Sequence, residues 1–312
     1  MTALTNTRWI LTTLLLLVAA LCVGVGVAYA GILVARSAGF PQRVFTPYNQ
    51  VENYPFSLNH EDCEILIYGD SSAMTGVDPV RLEALTHHKT CNISQTQPTV
   101  VATGTLAIDL YLKQNTLPKY LVIQLAPETF YQPHGLDTLA GFDPIMLMLR
   151  HDPGHATTKK LLQNPLPTLR FLSLALQDRY WPNRAYEASF LELYKRPIAD
   201  YYSHSGFLTL PKPAETACGE PKPLGAPEDF GWIDEARTRY SAMGVKVLVL
   251  ASPIPECDSQ REIYRNLAPH VDGGPLTLPV GLFNDSDRHY TREGSDTVSA
   301  MVAQKILALE AH

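Results

Sequence analysis

Apolar and polar residues along this chain fall into three regimes. From Ile10 to Ala35 there are 26 positions without a charge, flanked by Arg8 and Arg36. Residues 36–58, with Ser37, Gly39, Pro41, Pro47, Asn49, Asn53 and Pro55, are polar and turn-rich. From Glu64 onward, short apolar runs alternate with stretches of helical spacing. The pattern predicts strands over Glu64–Tyr68, Thr90–Ser94 and Tyr120–Leu125, separated by helices over Pro79–His87 and Val100–Gln114. The run Tyr120-Leu121-Val122-Ile123-Gln124-Leu125 has the near-continuous apolar character of a strand covered on both faces. The alternation breaks between Pro127 and Pro227, where 13 of the 24 prolines lie, because proline interrupts regular hydrogen bonding. A helix over Leu161–Tyr180 is expected there, within an insertion spanning residues 130–230 that reads as a lid over the sheet or a small separate subdomain. Alternation resumes with a helix over Trp232–Met243, a strand Val245–Ala251, a fifth strand Pro279–Phe283 and a closing helix Arg292–Leu309.

Strands alternating with helices imply an α/β fold built on a parallel sheet covered on both faces. The expected organisation is a short tail (1–9), an apolar helix (10–35), a linker (36–58) and one α/β domain (59–312) carrying the Pro-rich insertion.

A helix over residues 10–35 would be roughly 39 Å long at 1.5 Å per residue, more than the ~30 Å hydrocarbon layer of a bilayer. An N-terminal transmembrane anchor is therefore expected. A cleavable signal peptide is the rival, since Ala28-Tyr29-Ala30 has the small-x-small form of a cleavage site. The apolar run continues through Ala35, which favours the uncleaved anchor. Leu21 precedes Cys22 where lipoprotein processing needs a small residue.

The net charge is −6 with 18% charged residues and no basic stripe, so a nucleic-acid partner is not indicated. Four cysteines lie outside the apolar helix: Cys63, Cys91, Cys218 and Cys257. Cys63 and Cys91 lead into the first two strands, whose N-terminal ends would adjoin in a parallel sheet, close enough for a disulfide. Cys218 and Cys257 form a candidate second bridge. Free buried thiols are the alternative. Disulfides persist in oxidising compartments, so pairing favours a domain outside the cytoplasm.

The candidate chemistry sits at the two ends of the domain. Ile65-Leu66-Ile67-Tyr68-Gly69-Asp70-Ser71 ends an apolar strand in Gly-Asp-Ser, a way of presenting a serine hydroxyl at the rim of a sheet. Near the C terminus, Asp285-Ser286-Asp287-Arg288-His289 precedes Thr291, a suitable N-cap for the last helix. In a parallel sheet the C-terminal ends of the strands share one edge, which would bring His289 to the rim that carries Ser71. Serine-based acyl transfer needs a hydroxyl, a histidine to take its proton and an acid to orient the histidine. Ser71 and His289 are the candidates for the first two roles; Asp287 is favoured as the acid, with Asp285 the alternative. Asp70 reads as structural, bonding to nearby loop amides. His151 and His155 are four apart, but Pro153 and Gly154 between them argue against a helical metal site, and loop residues in solvent are expected there. No metal or cofactor is indicated.

Gly69-Asp70-Ser71 after the first strand, with Asp-x-His ahead of a C-terminal helix, resembles the SGNH (GDSL-like) hydrolase superfamily. More narrowly it is similar to the membrane-anchored branch of polysaccharide O-acetyltransferases and acetylesterases. The resemblance covers residues 62–128 and 231–310. It implies a three-layer α/β/α sandwich (SGNH/flavodoxin-like) with Ser71 as nucleophile and His289 as base. The glycine expected after strand two is replaced by Asn92-Ile93-Ser94-Gln95-Thr96, and the asparagine expected after strand three by Ala126-Pro127-Glu128-Thr129. Oxyanion-hole candidates are thus the Ser71 backbone N–H, Gln95 and Thr129. The implied function is acyl, and in particular acetyl, transfer to or hydrolysis from an extracytoplasmic polysaccharide at the inner or plasma membrane. The domain would face the periplasm, with an integral-membrane acyl donor as partner. The alternative is a catalytically inactive scaffold or polysaccharide-binding component with the same fold; a lipase with an apolar lid is a third reading.

Overall fold

Parity along each strand decides how this molecule is built. The structure is a computed structural model that describes residues 2–36, 51–132, 142–151, 155–163, 201, 203–210, 218, 230–259, 261, 263–273, 276–285 and 288–311. The chain divides into two units, residues 1–44 with 145–182 and residues 45–144 with 183–312.

In the first unit, helix α1 (Thr2–Arg36) carries the apolar segment. Its Arg8–Val27 stretch, with mean hydropathy 2.7 and no residue buried, is long and apolar enough to cross a membrane.

The second unit opens with a short 3-10 turn (Tyr54–Ser57). It continues with β1 (Ile65–Gly69), α2 (Ser71–Gly76), α3 (Pro79–Thr86) and β2 (Thr90–Asn92). Helices α4 (Gln97–Thr103) and α5 (Leu106–Gln114) lead to β3 (Tyr120–Leu125) and a 3-10 turn (Pro127–Tyr131). Helices α6 (Phe142–His151) and α7 (Ala156–Gln163) follow in the chain. The second unit then resumes with α8 (Gly231–Ala242), β4 (Lys246–Ala251), β5 (Ile254–Pro255), β6 (Thr277–Leu278) and α9 (Arg292–Glu310).

The main sheet is four-stranded and wholly parallel, in the order β2-β1-β3-β4. Leu66 and Tyr68 of β1, Leu121, Ile123 and Leu125 of β3, and Val249 of β4 belong to one core cluster. They share it with Val100, Ile108 and Tyr111 of α4 and α5, and with Ile233, Ala236 and Tyr240 of α8. Ile65, Ile67, Tyr120, Val122, Leu248 and Leu250 belong to a second cluster, with Leu82 of α3 and Val298, Val302 and Ile306 of α9. Period-two alternation of side chains sends odd and even residues to opposite faces, and here both sets are apolar. That is why the strands read as unbroken hydrophobic runs.

Several predicted boundaries shift. The helix expected over Val100–Gln114 is two helices, α4 and α5, because Gly104 adopts φ +54° and ends the first. The strand expected over Pro279–Phe283 does not join the sheet. Thr277 and Leu278 pair with Ile254 and Pro255, and Val280–Leu282 form a 3-10 turn after Pro279, which has no N–H to offer a ladder. His151 closes α6 half-buried, rather than standing in a solvated loop, and burial pulls its imidazole down to about 4. Most of the insertion lies outside the described residues, including Trp181, Tyr194, Tyr202 and residues 164–180 of the expected helix. Its described stretch 203–210 lies along β2: the Asn92 N–H donates to Ser205 C=O (2.9 Å) and Leu208 N–H to Met74 C=O (3.1 Å). It thereby covers a strand edge that would otherwise stay open.

Both expected disulfides are present, Cys63–Cys91 with Cα atoms 5.8 Å apart and Cys218–Cys257 at 6.0 Å. The first joins residues just before β1 and within β2, where parallel pairing sets Leu66 against Cys91.

Candidate active site

Strand β1 is buried throughout and ends at Gly69. A Cβ at Gly69 would stand 1.8 Å from the Gln124 carbonyl oxygen of β3, so only glycine lets the two strands close at this point. The chain then turns, and Asp70 caps α2 with its side chain accepting from Ser72 N–H at 3.0 Å. Ser71 thus occupies the first position of a helix at the C-terminal edge of the sheet, half-buried. Its backbone N–H belongs to the first turn, which has no intrahelical acceptor.

Asp70 is 1% exposed and gathers four donors. Oδ1 accepts from Ser72 N–H and from Ser72 Oγ (2.5 Å), while Oδ2 accepts from Ala126 N–H (2.8 Å) and Thr129 Oγ1 (2.6 Å). A carboxylate so surrounded fixes the turn after β1 against the turn after β3. The structural role expected for Asp70 is the one observed.

His289 comes from the other end of the chain. Phe283 and Tyr290 form an antiparallel bridge, and Asn284 N–H donates to His289 C=O at 2.8 Å, which sets residues 283–284 against residues 289–290. The buried Tyr290 hydroxyl donates to Pro253 C=O (2.8 Å), and Thr291 caps α9 by accepting from Gly294 N–H (3.1 Å). The chain is therefore held immediately after His289. His289 Nε2 lies 3.0 Å from Ser71 Oγ, and Nδ1 lies 2.7 Å from Asp285 Oδ2. A carboxylate on Nδ1 places the proton of the neutral ring there and leaves Nε2 to accept from the Ser71 hydroxyl.

The acid in contact with His289 is thus Asp285, the alternative of the sequence reading; Asp287 lies outside the described residues. The two side-chain oxyanion candidates are engaged elsewhere. Gln95 Nε2 donates to Glu52 C=O at 2.9 Å, and the Thr129 hydroxyl donates to Asp70. Gln97, which the motif comparison did not single out, brings its side-chain amide to Thr129 Oγ1 at 3.0 Å. A second group missed in the sequence surrounds Arg288. Its Nη2 meets Asp258 Oδ2 at 2.5 Å and its Nε lies 3.8 Å from Glu128 Oε2, all three side chains being at most 12% exposed. Among the described residues no cluster of three His, Cys, Asp or Glu side chains could hold a metal ion.

Comparison with known proteins finds no match: no protein-family model, no curated protein and no solved structure matches this chain.

Proposed function

We propose that this chain is a membrane-anchored serine acyltransferase or esterase of SGNH type, with a three-layer α/β/α sandwich as its soluble domain. The observation that carries the reading is the hydrogen-bonded series Ser71 Oγ–His289 Nε2–Asp285 Oδ2, at 3.0 and 2.7 Å. In the proposed reaction Ser71 Oγ attacks an acyl carbonyl and its proton passes to His289 Nε2. Asp285 stabilises the imidazolium that forms, and the leaving alcohol departs with the proton. An acceptor hydroxyl then gives its proton to His289 and attacks the acyl-enzyme, restoring Ser71. A sugar hydroxyl makes the enzyme a transferase, water an esterase.

The Ser71 N–H at the start of α2 is the proposed oxyanion donor. The motif resemblance supports acetyl as the acyl group and an exported polysaccharide as the acceptor. The two disulfides support an oxidising, periplasmic location. The apolar α1 supports a single-pass anchor in the inner or plasma membrane, where an integral acyl-carrying protein would be the donor.

A second reading, an inactive scaffold or polysaccharide-binding component of the same fold, is favoured by one observation. Gln95 and Thr129, which would have to replace the family's oxyanion donors, donate from Nε2 to Glu52 C=O and from the hydroxyl to Asp70. Full-length protein in detergent, incubated with p-nitrophenyl acetate and with a serine-directed phosphonate, separates the two. Turnover and labelling that both vanish in Ser71→Ala support the enzyme. A wild-type protein inert to both reagents supports the scaffold.

A further inference from the structure

We infer that Arg288 is a positioning residue for His289, clamped by Asp258 and Glu128 so that the neighbouring imidazole is presented to Ser71. The inference rests on the reading of Ser71, His289 and Asp285 as the catalytic series.

Arg288 immediately precedes His289 and holds φ +68°, a left-handed conformation that a residue with a side chain keeps only when its surroundings enforce it. The enforcement is visible. Its side chain is 7% exposed, with Asp258 (6%) at 2.5 Å and Glu128 (12%) at 3.8 Å. The phenol of the fully buried Tyr264 faces the same guanidinium. An arginine taken out of water between two carboxylates is a poor way to gain stability alone, because desolvation offsets most of the attraction. It is a good way to fix one geometry.

The three groups come from three places that must agree for the site to form. Glu128 lies in the turn after β3, beside Thr129, which bonds Asp70 and so the Ser71 turn. Asp258 follows Cys257, tied by its disulfide to Cys218. Arg288 immediately precedes His289, whose ring meets Asp285. One guanidinium therefore links the loop that holds the serine side to the loop that holds the histidine side. The Asn284 N–H bond to His289 C=O and the Phe283–Tyr290 bridge pair residues 283–284 with 289–290 but do not tie residue 288 to the loops that carry Glu128 and Asp258.

The test uses full-length protein in detergent carrying Arg288→Gly, Arg288→Lys or Asp258→Asn. Glycine accepts the left-handed backbone without strain, so Arg288→Gly removes the clamp while sparing the backbone conformation at this position. The expected result is a kcat for p-nitrophenyl acetate lowered about 100-fold per phosphonate-titratable site in Arg288→Gly, with KM within about 2-fold, as misplacement of a catalytic group predicts. Arg288→Lys should recover activity to within about 10-fold of wild type, since it keeps the charge but not the planar fork. A low-field proton resonance from His289 Nδ1–H on Asp285 should be sharp in the wild type and broadened in Arg288→Gly. Should Arg288→Gly fail to fold, Asp258→Asn carries the same comparison with the arginine in place. A lower melting temperature with unchanged kcat per site and an unchanged resonance would overturn the inference. A wild type without turnover or labelling would instead sink the proposed function, and the resonance alone would then decide whether Arg288 positions the ring.

Discussion

Asp285 meets His289 twice: its Oδ2 lies 2.7 Å from the ring Nδ1, and its Oδ1 lies 3.4 Å from the backbone nitrogen of the same residue. The contact is possible because Phe283 and Asn284 pair with Tyr290 and His289, which brings the next residue, Asp285, to the ring it orients. Asp285→Asn should therefore lower kcat by about 10³–10⁴-fold, as expected when the orienting acid of a serine–histidine pair loses its charge and the wrong tautomer is favoured. KM for p-nitrophenyl acetate should change little. Steady-state kinetics of Asp285→Asn beside Asp287→Asn checks this, and an equal or larger loss in the second variant would move the acid role away from Asp285.

Gly69→Ala tests the close approach of β1 and β3. The added methyl carbon would sit 1.8 Å from Gln124 O and 2.8 Å from Ala73 Cβ, so strand or helix must shift. Overpacking of this kind typically costs about 1–3 kcal/mol, and the upper end is expected where the obstacle is backbone. Urea denaturation should report that loss, together with weaker phosphonate labelling because Ser71 sits two residues on. A variant as stable as wild type would mean the two strands lie farther apart than described.

Much of this arrangement is legible in the chain itself, for a physical reason that differs from element to element. β1, β3 and β4 are legible because both faces of the sheet are covered, so that apolar residues fill both parities apart from the buried Gln124 of β3 and the exposed Lys246 that opens β4. Ser71 is legible because β1 delivers it to the C-terminal edge of a parallel sheet. His289 is expected at that edge through a strand, Pro279–Phe283, that does not join the sheet, and it is the Tyr290 hydroxyl on Pro253, just after β4, that holds the neighbouring residue there. The break at Gly104 is not, since the apolar spacing runs through it and only the backbone angle reveals two helices. Asp285 was ambiguous because spacing to a histidine says nothing until the turn between them is known. Arg288 left no signal at all: a buried arginine looks in sequence like a surface one. Its partners Glu128 and Asp258 are distant in the chain and are brought to it only by the folded loops. The Pro279–Phe283 segment misled because Leu282 and Phe283 suggest a strand, while Pro279 and Gly281 prevent one.

A pH-dependent clasp lies away from the site. His88 Nδ1 is 3.0 Å from Glu64 Oε2 at the start of β1, and its Nε2 bonds Glu310 at the end of α9. Two carboxylates on the two ring nitrogens require two N–H donors, hence the imidazolium. The hydrogen bond to Glu310, then that to Glu64, raises the His88 pKa above its usual 6.5. His88 in turn lowers Glu310, and Lys119 followed by His88 lowers Glu64, below their usual 4.5. The histidine part is thus complete below about pH 6.5 and is lost as pH rises through the raised value. The carboxylate part is complete above about pH 4.5 and is lost as pH falls through the lowered values. The stability difference between wild type and His88→Gln should peak between about pH 4.5 and 6.5 and shrink on both sides. Denaturation midpoints across that range check it; a difference flat with pH would show that the clasp adds no charge-dependent stability.

The two disulfides should separate in their effects. Cys63 and Cys91 are 1% and 3% exposed and close the N-terminal ends of β1 and β2, at a separation of 28 in sequence. Constraining a loop of that length in the unfolded chain contributes about 3–4 kcal/mol in the chain-entropy account. Cys257 is exposed, as is Cys218, and it adjoins Asp258 at the clamp on Arg288. A mild reductant should therefore open Cys218–Cys257 first, since its sulfurs are within reach of an attacking thiolate and those of the buried pair are not. The Cys63→Ser/Cys91→Ser double variant should lose about 2–4 kcal/mol of stability while keeping its rate of phosphonate labelling at temperatures where it is folded. The Cys218→Ser/Cys257→Ser variant should lose less stability and label more slowly, because the Asp258 side of the clamp is loosened. Thiol counting by mass after partial reduction, with denaturation and labelling measured on the same samples, distinguishes these outcomes. Reduction of the buried pair first, or equal labelling in both variants, would detach the second bridge from the site.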